Sequence, residues 1–506
     1  MYYNNETKEN CMKKMKNWRP SASLLAGAAV LGLLVLLVPI VRIMRDAVPF
    51  SDDYGYGYFA KLGYLMGKNL PGVLMGVWEN VKHTWWTWQG TYSSIFLMSL
   101  VPLVWGEQYY FWGLLFILLL LIGGVFALVK ALVVDVLQGG WQQCLYIQAV
   151  TAALVVELMY YPAEGLFWYN GGIHYVGMHG FAMLLLASLI CLSEGKKGRI
   201  RKGLLIAASM ILSLIVAGSN YVTALQTFLV FLTIMVAGAL LHRNIKGLLR
   251  LVPAFCVYSI GFYKNLAAPG NTARAEALGN PGMAPLQAIL FSFKEAFSHM
   301  WEYTGWMTIV VMLVLLPMIL QLVSTTKFRF RLPVWSVCLY ATGFTSSLYS
   351  LGHGGVPRTL NAVKITWQVL LVVNEIYLVG AIWQQRAGQK VLAADSLRGN
   401  FKWWVYPVLA VLAILVVKTC PNPVGTYVSY SAYYYVHTGD AYMYHQQFLN
   451  RLDALKGEEK VLVFEPYAYQ PWLIYVGDGN QFPNQGNNYL LERWYGKESV
   501  SVATTE

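Results

Sequence analysis

The chain has 506 residues, 57% of them hydrophobic and only 12% charged, against roughly 25% charged in an ordinary soluble protein. This excludes a soluble globular domain and points to a polytopic helical membrane protein. The formal charge of +12 does not imply nucleic acid, because Lys and Arg fall in short clusters between apolar runs, where they act as topology signals. Six scattered cysteines without a CxxC pair imply neither a metal site nor a disulfide framework.

Residues 1–20 are polar and basic and read as a cytoplasmic N-terminus. "SASLLAGAAVLGLLVLLVPIVRI" follows without a small-residue cleavage site and predicts a retained first membrane helix. The chain then opens a first outer loop, residues 44–90, with two adjacent acids, Asp52 and Asp53, in "VPFSDDYGYGYF". Trp78, Trp85, Trp86 and Trp88 in "VWENVKHTWWTWQG" suit a helix lying on the outer leaflet. The apolar runs 91–105, 110–132 and 144–160 give the wrong parity if all three cross, so the shortest, 91–105, is expected to be a half-helix.

Basic connections at 193–203, 242–250, 324–333 and 384–402 anchor pairs of runs that go out and return: 204–218 with 221–241, 249–268 with 305–323, and 334–350 with 362–383. A last span at 403–418 leaves the tail outside the cytoplasm. The expectation is eleven to thirteen spans across residues 21–419. In the tail, residues 420–506, "HQQFLNRLDAL" has helical spacing, "KVLVF" and "WLIYV" read as short strands, and "NNYLLERWYGKESVSV" reads as helix then strand. This predicts a small extracytoplasmic α/β cap, with "YVSYSAYYYV" before it as an interface segment.

On this topology the outer face gathers the scarce polar residues: the acids Asp52, Asp53, Glu79 and Glu164, the cations Lys264, Arg274, Arg358 and Lys364, and His174, His179 and His353. An acid just above the hydrocarbon can act as general base or, as a pair, hold a divalent ion such as Mg or Mn. Cations facing it can hold a phosphate, arginine with a fork of donors. The bland alternatives are a solvated turn or helix cap for the acids and headgroup anchors for Arg274 and Arg358. The order of the two acids favours Asp53 as base, with Asp52 capping the helix or contacting a metal.

The elements "SDDYGYGYF", "WTWQG", "FWYNGGIHY", "APGNTAR" and "NNYLLERWYGKESV" resemble the GT-C superfamily of multi-pass glycosyltransferases. They are most similar to an uncharacterised bacterial membrane family, number 6056 among domains of unknown function, related to O-antigen glucosyltransferases. After "WTWQG" this chain has Thr91 where that family often carries a basic residue. The resemblance implies Asp52 and Asp53 as catalytic residues or metal contacts. Tyr54, Trp88, Lys264, Asn271, Arg274, Arg358 and His174 are the expected substrate contacts. It also implies a bacterial plasma-membrane enzyme that moves a sugar from a polyprenyl-phosphate donor to an outer-face glycan or lipid-linked acceptor, with inversion. One rival is a transporter or flippase of lipid-linked sugars, for which Glu375 is the best intramembrane charge and Glu157 lies near the end of its run. Another is a polysaccharide polymerase or ligase.

Overall fold

A computed structural model describes residues 21–194, 198–240, 245–326, 335–388 and 405–504; the cytoplasmic N-terminus read at 1–20 lies outside them, as does most of the basic connections. The chain is an all-helical bundle with one small sheet. Helix α1 is Ala22–Ile43, opened by the Ser21 hydroxyl, which accepts from the Leu24 amide at 3.1 Å. Helices α2 (Asp52–Gly67) and α3 (Leu70–Thr87) form a hairpin, turned by Lys68 in the left-handed region and restarted by Asn69, whose side chain accepts from Gly72 N. Its two arms touch backbone to backbone, since a Cβ at Gly63 or Gly76 would collide with the carbonyl of Gly72 or Phe59. The first outer loop of the sequence reading is therefore almost wholly helical.

Helix α4 (Tyr92–Ser99) is short, matching the expected half-helix, and α5 (Tyr110–Lys130) is long and continues as a π turn through Val136. Then come α6 (Trp141–Glu157), α7 (Met178–Glu194), α8 (Arg199–Ala217), α9 (Tyr221–Leu240), α10 (Ile245–Leu266), α11 (Pro269–Ala277), α12 (Pro285–Thr325), α13 (Trp335–Leu351), α14 (Pro357–Gly388) and α15 (Val405–Thr419). Among the described residues eight helical stretches are long and apolar enough to cross a membrane. The eleven to thirteen spans expected also count α6, of 17 residues, and the runs at α13 and α15, both of which border on residues outside the described ones. The stretch "APGNTAR" is the start of α11 and not an extended loop.

The residues after Thr419 form α16 (Val428–Thr438), α17 (Asp440–Lys456), β1 (Val461–Phe464), α18 (Gly486–Tyr495) and β2 (Ser499–Val502). β1 and β2 pair in parallel, Val461 opposite Ser499 and Phe464 opposite Val502. "WLIYV" is no strand: Trp472–Ile474 is a turn, held by Tyr475 N donating to the Pro471 carbonyl at 2.9 Å. The aromatic run at 427–436 is helix α16, packed on α1 and started by the half-buried Glu157, which accepts from the amide and the hydroxyl of Ser429 at 3.0 and 2.8 Å.

This C-terminal segment clamps one face of α2. Tyr54 packs edge-on to Trp494 at 5.5 Å, the Lys61 ammonium lies 4.3 Å from the Trp494 ring centre, and the Arg493 guanidinium 3.8 Å from that of Tyr58. Glu107, just before α5, pairs with Lys456 at 2.8 Å and accepts from the Tyr495 hydroxyl at 3.0 Å. With α2 gripped from behind, its first turn has a fixed phase.

Candidate functional site

The first turn of α2 carries both acids, and adjacent helical residues diverge by about 100°. Ser51 enters the helix with φ of 46°, a left-handed backbone that a serine adopts only under constraint. Asp53 turns inward and is fully buried. Its Oδ2 accepts from Phe50 N at 3.0 Å and Tyr110 OH at 2.7 Å, its Oδ1 from Asn170 N at 3.0 Å and Asn170 Nδ2 at 2.6 Å. Burial pushes its pKa up to about 7, and the four donors, Phe50 first, oppose that rise. Every partner is a neutral donor, so this carboxylate joins the start of α2 to α5 and to the 169–177 turn. It has no free lone pair directed at a substrate.

Asp52 turns the other way, half-buried, toward charged residues from distant parts of the chain. Arg358, at the start of α14, and Glu164, in the short helix Pro162–Leu166, lie 3.8 Å apart, and both act electrostatically on or with Asp52. Desolvation raises the pKa of Asp52, with Arg358 pulling it back; Glu164 is raised for the same reason, lowered by Arg358 and raised again by Asp52. Tyr175 hydrogen-bonds Arg358, whose guanidinium stands 5.7 Å from the Trp168 ring centre. Tyr56, one turn along α2 from Asp52, feels Asp52, Arg274 and Arg358 together.

Arg274 reaches this group from α11. Its Nη1 donates to Gln89 Oε1 at 3.1 Å, and its guanidinium sits 5.4 Å from the Trp88 ring centre. His174 is buried against Tyr175 at 4.6 Å, within the field of both arginines. Three buried polar atoms here have no hydrogen-bond partner among the described residues: Glu164 Oε2, His174 Nδ1 and Arg274 Nε. A cluster with opposite charges and unmatched atoms is built to receive something polar. Arg274 also lines a cavity of about 780 Å³ that runs between α9, α10 and α13, apolar at Leu225, Phe262 and Leu266 and polar at Thr345, Ser346 and Ser350.

The structure thus brings Asp52, His174, Arg274, Arg358 and, through Arg274, Trp88 into one region. Two expected substrate contacts lie elsewhere, and a third, Asn271, lines the same cavity as Arg274 with its side chain engaged in the fold. Tyr54 is buried against Trp494 and Tyr495 on the opposite face of α2. Lys264 is exposed on the last turn of α10, and its carbonyl accepts from Trp85 Nε1. Asn271 is a clamp: its Oδ1 accepts from Gly90 N and Tyr221 OH, its Nδ2 donates to the carbonyls of Asn265 and Leu266. The preference for Asp53 over Asp52 as base also fails, since all of the Asp53 lone pairs are directed at fixed donors. Tyr56, Tyr175 and Gln89 were not singled out from sequence, although they lie in "SDDYGYGYF", "FWYNGGIHY" and "WTWQG", stretches that carry the resemblance.

Among the described residues no three His, Cys, Asp or Glu side chains come together to hold a metal ion. Asp53 is engaged and Asp52 and Glu164 face guanidinium groups, so the donor set does not fit the Mg or Mn considered for the acidic pair. Comparison with protein-family profiles, curated proteins and solved structures found no match for this chain.

Proposed function

We propose that the chain is a GT-C-like glycosyltransferase of a bacterial plasma membrane, working on the extracytoplasmic face with residues 420–506 as a cap over that end. In this reading it moves a sugar from a polyprenyl-phosphate donor to a cell-envelope glycan or lipid-linked acceptor. One observation carries the proposal: Asp52 lies in the field of Arg358, and Arg274, which acts together with both of them on Tyr56, lines a cavity that is apolar at Leu225, Phe262 and Leu266. A lipid phosphate needs that sequence of environments, hydrocarbon first and then paired forks of donors.

The chemistry follows directly. The acceptor oxygen attacks the anomeric carbon and gives its proton to the Asp52 carboxylate. The bond from that carbon to the phosphate oxygen breaks with its electron pair going to the phosphate, which Arg274 and Arg358 hold as it leaves. With Asp52 as the one base and Glu164 held by Arg358, the displacement is direct and inverts configuration. Glu164, paired with Arg358, sets the orientation of that guanidinium.

The test is transfer from a short-chain polyprenyl-phosphate sugar by the purified protein in vesicles, read as the mass of the product and release of polyprenyl phosphate. Unchanged mass with the sugar moved across the bilayer would instead establish the transporter reading, which has its own support in Glu375, whose Oε2 is buried in α14 without a hydrogen-bond partner. Polymerase or ligase activity would appear as a larger or differently linked product.

A further inference from the structure

A second polar pocket lies away from Asp52, where α12 breaks. Gly305 has φ 41° and ψ 162°, a backbone that side-chain-bearing residues rarely adopt. From Thr325, at the basic-loop end of α12, a helix rising ~1.5 Å per residue returns to Gly305 after about 30 Å, the thickness of the hydrocarbon core. The break is therefore at interface depth. Trp301 and Trp306, 70% and 68% exposed and packed edge to face at 6.3 Å, flank it as interfacial aromatics do. Non-helical backbone at that depth is tolerated where it lines a polar cavity, and here it lines one of about 440 Å³.

The polar wall of this pocket is Lys364 from α14, with Glu302 and Tyr303 from α12. Lys364 is partly buried and lies over the Tyr303 ring, 5.5 Å from its centre. Glu302 is exposed and acts electrostatically on Lys364, without an ion pair between them among the described residues. The Tyr303 hydroxyl is buried with no hydrogen-bond partner among the described residues. The apolar wall is the end of α15, Leu412, Leu415 and Val416. A cation and an anion held apart, with a free hydroxyl between hydrocarbon and water, match an amphiphile whose head carries both charges.

We propose that this pocket binds a phospholipid of the phosphoethanolamine class, its phosphate on Lys364 and Tyr303, its ammonium on Glu302, and one chain along α15. A purely anionic head would meet Glu302 unfavourably, and a trimethylammonium head has no N–H to donate to it.

The inference is independent of sugar transfer. Native mass spectrometry of the full-length protein in detergent, with dioleoyl phosphatidylethanolamine, phosphatidylglycerol and phosphatidylcholine supplied at equal concentration, tests it. The expected result is retention of the ethanolamine lipid over the other two by roughly two- to fivefold, the scale of a partly solvated ion pair. Glu302→Gln is expected to abolish that preference while total lipid retention persists, and Lys364→Met to lower retention of all three. Equal retention of the three lipids by the wild type, or an unchanged preference in Glu302→Gln, overturns the proposal. Glu302 is exposed, so its variant decides the matter even if Lys364→Met does not fold.

Discussion

The two ends of the bundle treat buried acids in opposite ways. At the end flanked by the basic stretches, Asp135 is paired with Lys130 at 3.2 Å and accepts from the Cys191 thiol at 3.2 Å. Nearby, Arg250 caps the Leu192 carbonyl and Thr326 that of Leu137. Each of these groups is answered by its neighbours. At the other end Asp52, Glu164, Arg274 and Arg358 come from four separate elements, with three nearby polar atoms unanswered. A charged group satisfied inside the protein holds the fold, whereas one left partly unsatisfied at a cavity marks where a ligand supplies the missing partner. Asp53 belongs with Asp135 in this respect, although it sits beside Asp52 in the chain.

The sharpest way to break this contrast is to neutralise one acid at each end. Asp52→Asn is expected to fold normally and to lower sugar transfer by roughly 10²- to 10⁴-fold, the usual effect of removing a positioned base. Asp135→Asn should reduce stability and leave turnover per folded molecule unchanged. Initial rates on purified, monodisperse protein decide it; equal losses in both variants would erase the distinction between the ends.

Next in size is the arginine pair. If Arg274 holds the departing phosphate in a desolvated site, Arg274→Ala should cost roughly 2–5 kcal/mol of transition-state stabilisation. Arg274→Lys should recover only part of this, because a point charge replaces neither the fork nor the stacking on Trp88. A wild-type kcat/KM in Arg274→Ala would leave this arginine a headgroup anchor.

Asp53 provides the third test. An amide at this position would place an NH2 group against donors that now all point at the carboxylate. Asp53→Asn is therefore expected to lose about 1–3 kcal/mol of stability, the cost of mispairing a buried polar group. The measurement is thermal unfolding in detergent beside Asp52→Asn, which should unfold like the wild type. If the two variants exchanged these behaviours, the assignment of inward and outward acid would be reversed.

Much of the bundle is readable from residue patterns, because apolar runs bounded by basic clusters have one physical outcome in a bilayer. Helices α8, α9, α10, α13, α14 and α15 follow the expected runs, whereas α11 lies where no run was expected and α12 begins at Pro285, well before the run at 305–323. A run's composition does not reveal where its helix ends: α4 stops at Ser99, after which Pro102 opens a short 3-10 turn. Within the site, residue type nominated Asp52, His174, Arg274 and Arg358, whose proximity is a matter of tertiary packing. What residue type could not provide is direction. Lys264 and Asn265 are neighbours on α10, yet the first is exposed while the second is buried and donates to the carbonyls of Ala217 and Ser219. Asp52 and Asp53 divide in the same way, and the phase that divides them is set by Ser51 and by a C-terminal segment over 400 positions away, whose Trp494 packs on α2.

The smallest expected effect is on pH dependence. The ordinary Asp53 pKa of 3.8 rises to about 7 in the folded chain, so between these values the folded protein holds a proton that the unfolded chain has lost. Stability must then fall as pH rises through this window, by at most about 1.4 kcal/mol per pH unit from this one group, and level off above it. Asp52 and Glu164 are also raised by burial and act with the same sign. Sugar transfer should respond in the opposite sense, increasing with pH as Asp52 loses the proton that blocks it as a base. Unfolding midpoints and initial rates measured on one preparation from pH 5 to 8 would cross: the most stable protein at low pH, the fastest at high pH. If stability and rate rose together, the buried acids would be ionised throughout, and the low dielectric assigned to this end of the bundle would be wrong.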